Sequence, residues 1–252
     1  MAAAVEIEGL WEGYRPKTKW GRVRRHEWHW ALRDVSLEVA AGEALGVVGG
    51  NGSGKTTLLR CVAGVIRPTR GQLRVHGRVS SLIDLAAGVS RDLTGHENLV
   101  IGGVLLGLTR AELKARYDDI VAFSGLPEEV LSEPLHTYSQ GMLLRQVFSV
   151  VLHSQPSVLL VDEVLAVADD AFRAASAARI EELRARGCAV ILVSHDLDLV
   201  AARCERVGLL DAGSLLFVGQ PEEALARYGD LLSAAAASGS SRPWTRHAGR
   251  RR

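Results

Sequence analysis

The sequence predicts an α/β protein organised on a buried, mainly parallel sheet, and three stretches carry the prediction. Residues 44–48 are a short apolar run of strand type that leads through a glycine-rich loop into a helical pattern at 57–63, closed by Gly64. Ser157-Val158-Leu159-Leu160-Val161 is a second unbroken apolar run, ended by the acids Asp162 and Glu163. Residues 189–193 form a third, which delivers Ser194-His195-Asp196, and an alanine-rich helical stretch at 171–186 separates it from the second. Apolar strands alternating with helices read as a parallel sheet covered on both faces, with polar residues delivered at the carboxyl ends of the strands.

The glycine-rich loop, Gly49-Gly50-Asn51-Gly52-Ser53-Gly54-Lys55-Thr56-Thr57, fits the phosphate-binding template G-x-x-x-x-G-K-[ST]. Glycines at 49, 50, 52 and 54 let the backbone wrap close to phosphate oxygens, and the helix that follows offers unpaired N–H groups and its positive dipole end. Lys55 suits the β and γ phosphates of a nucleoside triphosphate, and the Thr56 hydroxyl suits a magnesium ion. Gly49, Asn51, Gly52, Ser53, Gly54, Lys55, Thr56 and Thr57 are therefore the candidate nucleotide ligands.

Composition sets the outer limits. At 252 residues, 47% hydrophobic and 23% charged, the chain has enough apolar residues for one large core or two unequal lobes. A formal charge of +1 argues against wholesale nucleic-acid binding and confines any basic surface to a local patch. Cys61, Cys188 and Cys204 lie in apolar or helical contexts without CxxC spacing, so they are expected to be buried, reduced and structural, as suits the cytoplasm. The longest apolar stretch, 99–108, is about half the ~20 residues a bilayer span requires. Met1-Ala2-Ala3-Ala4, followed by Glu6 and Glu8, lacks the pattern of a secretory signal.

Taken in order, the chain opens with apolar residues at 5, 7 and 10 alternating with Glu6 and Glu8, a half-exposed strand. Between Trp11 and Trp30 lie four of the five tryptophans, interleaved with Arg15, Lys17, Lys19, Arg22, Arg24 and Arg25. Such a mixture suits a membrane interface, stacked nucleobases or a solvated loop whose rings pack back on the core. Strand periodicity resumes at 32–39, and Ala41-Gly42-Glu43 turns the chain into the strand before the loop. Short strands are expected at 72–75 and 79–83. Thr94, with Glu97 three residues on, has the form of a capping box that opens a helical stretch to Ser124, interrupted at Gly107-Leu108-Thr109. Residues 139–153 repeat their apolar positions at helical spacing and stop at Pro156. Strands at 206–210 and 214–218 flank Asp211-Ala212-Gly213 as a hairpin, a helix follows at 221–228, and 238–252 is a Ser/Gly-rich, then basic, flexible tail.

A phosphate-binding loop far upstream of a buried strand ending in Asp-Glu is general to P-loop ATPases. Ser139-Gln140-Gly141-Met142 narrows this, because it opens a helix that ends just before the acidic strand. There ATP-binding-cassette proteins place their Leu-Ser-Gly-Gly-Gln signature, and residues 5–228 resemble the nucleotide-binding subunit of that family. The family's histidine switch corresponds to His195 and its D-loop aspartate to Asp169, six residues after Glu163. Val164 in place of the family's proline, together with Leu93-Thr94-Gly95-His96-Glu97-Asn98, is similar to the ATPases of bacterial O-antigen, capsule, galactan and teichoic-acid exporters. Two departures stand out. Gln140 occupies a position where a small residue is usual, and the Q-loop glutamine is missing, its place falling near Asp84 or Leu85.

The resemblance implies a P-loop NTPase fold of the ABC ATPase type in residues 1–237: a mixed parallel core sheet, an antiparallel β lobe and a helical subdomain at about 90–155. It implies ATP and Mg²⁺ as cofactors, with Thr56 and Asp162 on the metal, Glu163 polarising the attacking water and His195 on the γ phosphate. The adenine would stack on an aromatic ring, Tyr14 by position, with Trp28 and Trp30 as rivals. Ser139 and Gly141 of one copy would contact the γ phosphate bound by a second, so that two ATPs close a head-to-tail homodimer to which Asp169 also contributes. The implied load is a lipid-linked glycan. A separate transmembrane permease would dock on the helical insertion near 84–110 and hold the subunit on the cytoplasmic face of the cell membrane. A soluble cassette ATPase acting on nucleic acid or the ribosome is the alternative.

Overall fold

The computed structural model describes residues 2–14, 28–83, 88–162 and 169–237. Glu163, Val164, Asp84, Leu85, the cationic residues from Arg15 to Arg25 with Trp20 among them, and the tail 238–252 lie outside the described residues. In chain order the elements are β1 (Ala3–Tyr14), β2 (His29–Ala40), β3 (Ala44–Val48), α1 (Lys55–Val62), β4 (Arg70–Val75), β5 (Val79–Ser81), α2 (Gly95–Leu105), α3 (Arg110–Ser124), α4 (Glu128–Leu131), α5 (Gln140–His153), β6 (Val158–Val161), α6 (Asp170–Ala185), β7 (Ala189–Val193), α7 (Leu197–Arg203), β8 (Arg206–Asp211), β9 (Ser214–Gly219) and α8 (Pro221–Ala237). They fall in two compact units. The first is drawn from Met1–Val5, Val39–Ala44 and Val75–Leu192, the second from Glu6–Glu38, Leu45–Arg74 and Val193–Arg252.

In the first unit β5, β6 and β7 run parallel, with Val79 opposite Val158 and Val158 opposite Ala189. Every residue of β6 and β7 is buried, which is why both read as unbroken apolar runs rather than alternating ones. The helices α2 to α5 close on Leu99, Leu113, Ile120, Leu131 and Val150, with Tyr117 and Tyr138 packed at the margin. Thr94 caps α2 and Thr109 caps α3, each in a complete capping box with Glu97 and Glu112. The first box is legible as Thr-x-x-Glu. The second explains why the helical pattern breaks at 107–109: Gly107 turns at φ 81 and Thr109 starts a new helix.

In the second unit β3, also wholly buried, pairs parallel with β8, Gly46 lying opposite Val207. β8 returns antiparallel into β9 through Ala212 and Gly213, whose φ values of 46° and 86° give the two positive-φ positions of a tight hairpin turn. A separate three-stranded sheet has the order β2-β1-β4.

Three boundaries differ from the sequence expectation, each for a local reason. β1 continues past Leu10 through Trp11 to Tyr14, with Trp11 O accepting from Thr69 N at 2.9 Å, and it bends at Gly9 (φ 56), whose N–H is held by Ser36 Oγ at 2.9 Å. α1 begins at Lys55 rather than 57, since Gly54 in the left-handed region turns the loop directly into the helix. α8 runs on past Gly229, which a helix interior tolerates at a cost of about 1 kcal/mol relative to alanine.

Candidate functional site

The glycine loop joins β3 to α1 within the second unit. Lys55 is 8% exposed, and its Nζ donates to the carbonyl oxygens of Gly49 (2.7 Å) and Gly50 (3.0 Å), so the ammonium is seated inside the loop it serves. The loop is braced from outside by backbone. A Cβ on Gly49 would sit 2.0 Å from the Leu210 oxygen of β8, and one on Gly54 would sit 2.5 Å from the Ala31 oxygen of β2. Gly54 also has φ 111, a conformation that glycine adopts without strain. Gly213 of the hairpin turn donates its N–H to Ser53 O (2.9 Å) and accepts from Arg33 N (2.7 Å), so β2 and the loop hang on one residue. None of these braces is announced by the phosphate-binding pattern itself. The Asp-Ala-Gly turn is the one sequence signal that could have found Gly213.

The loop has the chemistry of an anion cradle. Gly54 gives α1 no side-chain cap, which leaves first-turn N–H groups for an external acceptor. Ser53 is buried, and among the described residues its Oγ has no hydrogen-bond partner, a cost that a phosphate oxygen would relieve. Asn51, Gly52 and Thr56 are exposed beside it, with Thr56 in the first turn of α1 and Thr57 half-buried behind it.

Two further candidates lie in the second unit. His195 follows β7 at an exposed corner fixed by its neighbours: Ser194 Oγ accepts from Asp196 N (3.0 Å), and Asp196 caps α7 through Leu199 N (3.0 Å). Tyr14, 52% exposed at the end of β1, stacks on His29 of β2 with centroids 5.5 Å apart and planes 18° apart. Its rivals are occupied with each other. Trp28 stacks on Trp30 at 4.9 Å, Trp11 meets Trp30 edge-on at 5.2 Å, and the Arg70 guanidinium lies 5.5 Å from the Trp30 ring. Because strand residues alternate between faces, Trp11 and Tyr14 point to opposite sides of β1, and the tryptophan cluster and the Tyr14–His29 pair occupy different faces.

The remaining candidates belong to the first unit. Ser139 caps α5, its Oγ accepting from Met142 N at 3.2 Å, and Gly141 follows half-buried in the first turn. The preceding Tyr138 is anchored by its hydroxyl to Val130 O (2.7 Å), and burial, aided by Glu133, pushes its pKa up to about 12. Asp162 stands half-buried just past the end of β6. Asp169 caps α6, with Oδ1 accepting from Phe172 N (2.9 Å) and Oδ2 from Arg145 of α5; the Phe172 N–H first, and Arg145 next, hold its carboxyl below the usual range. α5 thus links Ser139 and Asp169 through Arg145, a residue that periodicity reads only as a polar helix position. Beside α2 and α5 the same unit contains a cavity of about 210 Å³, lined by Asn98, Gly102, Leu105, Gln146, Val147 and Val150. Val100, Val104 and Leu105 of α2 are large exposed apolar side chains. The three cysteines are buried outside any disulfide, and burial raises the thiols of Cys61 to about 12 and Cys188 to about 11.

Comparison with known proteins adds the following. A family model described as ABC transporter matches residues 32–166. The chain is 42% identical over 211 residues to the O-antigen export system ATP-binding protein RfbB of Myxococcus xanthus, covering 84% of this chain and 48% of that protein. It is 41% identical over 198 residues to an RfbB of Klebsiella pneumoniae, covering 79% and 80%. It is 39% identical over 199 residues to the teichoic acids export ATP-binding protein TagH of Lactococcus lactis subsp. lactis, covering 79% and 42%. The match therefore spans about half the length of the Myxococcus relative and less of the Lactococcus one. Among solved structures, an ATP-binding subunit of an ABC transporter superposes with a TM-score of 0.75 at 22% identity, covering 93% of this chain and 99% of that one. A dimeric ATP-binding cassette in a post-hydrolysis state with ADP and Pi gives 0.72 at 19% identity, covering 86% and 98%. At these identities the structures speak for the fold alone. They share an α/β architecture with this chain.

Proposed function

The chain belongs to the ABC transporter family, and from that premise we propose that it is the ATP-hydrolysing subunit of an exporter of lipid-linked polysaccharide of the O-antigen, capsule, galactan or teichoic-acid type. In this reading residues 1–237 form one ABC ATPase domain. The observation that carries it is the loop with Lys55 seated on the Gly49 and Gly50 carbonyls beside the orphaned Ser53 hydroxyl. Kinship to proteins named for O-antigen and teichoic acid export supports the choice of load.

Phosphoryl transfer to water needs little covalent help, so the residues act by position and charge. Lys55 and the loop N–H groups hold the β and γ phosphates, and Tyr14, backed by His29, offers the adenine a ring face that Trp28 and Trp30 spend on each other. The Thr56 hydroxyl and the Asp162 carboxylate are hard oxygen ligands that suit magnesium, which when bound offsets charge building on the phosphates. Among the described residues no three His, Cys, Asp or Glu side chains cluster as a metal cage, and an ion carried in on phosphate needs none. Glu163 accepts the proton of the attacking water, and His195 donates to the γ phosphate. Ser139 and the Gly141 N–H act on the nucleotide of a second copy, with Asp169 at the same interface. No helix among the described residues is long and apolar enough to cross a membrane. In this reading the transport path lies in a separate transmembrane permease that holds the chain on the cytoplasmic face of the membrane. The exposed apolar side chains of α2 beside the cavity are the surface we assign to it.

The test uses the purified chain. Glu163→Gln should slow ATP hydrolysis by about 100-fold or more and, with ATP but not ADP, should elute as a dimer carrying one nucleotide per chain. A variant that stays monomeric with ATP sinks the two-copy site. Wild-type protein without ATPase activity sinks the enzyme.

A further inference from the structure

Arg145 stands on α5 five residues after Gln140, roughly 7.5 Å along the helix from the end that carries Ser139 and Gly141. Its guanidinium meets three residues on two neighbouring helices of the first unit. One amino group donates to Asp169 Oδ2 at the start of α6, the other to the Ser124 carbonyl at the end of α3 (3.3 Å), and the Cζ atom lies 5.0 Å from the centre of the Phe172 ring. That ring is itself wedged edge-on against Phe123 (5.5 Å) and Phe148 (6.1 Å), so it is a fixed floor. Asp169 is held from its other oxygen by the Phe172 N–H. A planar fork lying on a ring and bonded at both tines has one orientation, which a lysine ammonium in the same place would not have.

The pair is a poor stability device. The side chains of Arg145 and Asp169 are 26% and 53% exposed, and ion pairs so open to water contribute little to folding. What the contact fixes is geometry. It ties the helix that begins at the signature stretch to Asp169, the first described residue after the segment that carries Glu163.

We propose that Arg145 is a positioning residue that locks the Ser139–Gly141 end of α5 to Asp169, so that the two stretches offered to the second copy meet it as one body. This rests on the two-copy site proposed above. The expected consequence is a loss of ATP-driven dimer closure with little change in ATP binding to the single chain.

The experiment is run in the full-length Glu163→Gln chain, reading dimer by light scattering and single-chain ATP affinity with a fluorescent ATP analogue. Arg145→Ala should raise the chain concentration for half-dimerisation by about tenfold, with analogue affinity and melting temperature nearly unchanged. Arg145→Lys should recover only part of the loss. Asp169→Asn should also impair dimerisation, and adding Arg145→Ala to it should make dimerisation no worse, as expected when the arginine acts through that carboxylate. A parent that dimerises while Arg145→Ala dimerises equally well overturns the lock alone. So does a parallel fall in analogue affinity, or single effects that multiply in the double variant. A parent that never dimerises with ATP overturns the two-copy site and the lock with it.

Discussion

At the scale of single residues, the loop distinguishes glycines that are packed from glycines that are merely present. The Gly49 Cα faces the Leu210 carbonyl, where an added methyl would lie 2.0 Å from the oxygen, whereas a methyl on Gly50 meets nothing within 4 Å. Gly49→Ala should therefore weaken ATP binding by about tenfold or more, because backbone cannot step aside cheaply, while Gly50→Ala binds like wild type; equilibrium titration with a fluorescent ATP analogue separates them. A second residue sets an acid limit. His153 is buried at the end of α5 with Nδ1 2.8 Å from the Ser149 carbonyl, and burial, its largest influence, pushes its pKa below the usual 6.5. The unfolded chain then takes up a proton at a pH where the folded one stays neutral, so stability is full above about pH 6.5 and falls as pH drops below it. Melting curves from pH 7.5 to 5.5 should slope downward for wild type. His153→Gln should melt lower at pH 7.5 yet lose part of that slope.

At the scale of elements, the helical part of the first unit is built from caps. Replacing Thr94 or Thr109 by alanine should each cost about 1 kcal/mol, seen as a drop of roughly 2–4 °C in melting temperature for a chain of this size. Glu97 and Glu112 are held below the ordinary carboxylate range first by the N–H groups of Thr94 and Thr109. Their contribution is present above about pH 4.5 and is lost as pH falls through their depressed values, so each Thr→Ala variant should differ least from wild type in strong acid. The same caps show what was legible. Thr94 is a capping residue whose pattern with Glu97 stands in the sequence, and β3, β6 and β7 are readable because burial on both faces forces unbroken apolar runs. The full length of β1 was not, since the change to tryptophans and cations from Trp11 onward hides its continuation to Tyr14. Nor was the brace of Gly213 and Leu210 around the loop, which depends on β8 pairing beside β3 across well over a hundred residues of chain. The ring pairings of Tyr14, Trp28 and Trp30 could not come from sequence either, because they turn on which rings share a strand face.

At the scale of the whole molecule, the proposed machine must couple ATP turnover to its load. Two regions offer that connection. The exposed Val100, Val104 and Leu105 of α2 suit an apolar partner segment, whereas Arg22, Arg24 and Arg25 with Trp20 form a local cationic and aromatic stretch in a chain of net charge only +1. Cations of this kind gain most at a surface bearing phosphate, where each adds about 1 kcal/mol at a membrane and loses it as salt rises. If they meet the pyrophosphate of a lipid carrier, replacing all three arginines by alanine in cells that carry the permease should cut glycan export several-fold while purified protein hydrolyses ATP at its former rate. Lys55→Ala, by contrast, should abolish both, since it strips the phosphates of a charge-assisted partner worth roughly 1.5–3 kcal/mol per hydrogen bond. Replacing Val100 and Val104 by aspartate should leave hydrolysis by the isolated chain intact but remove it from washed membranes. Equal loss of export and hydrolysis in the triple-arginine variant would place that stretch in the nucleotide cycle instead. A salt-sensitive complex with RNA, formed without any permease, would turn the load from glycan to nucleic acid.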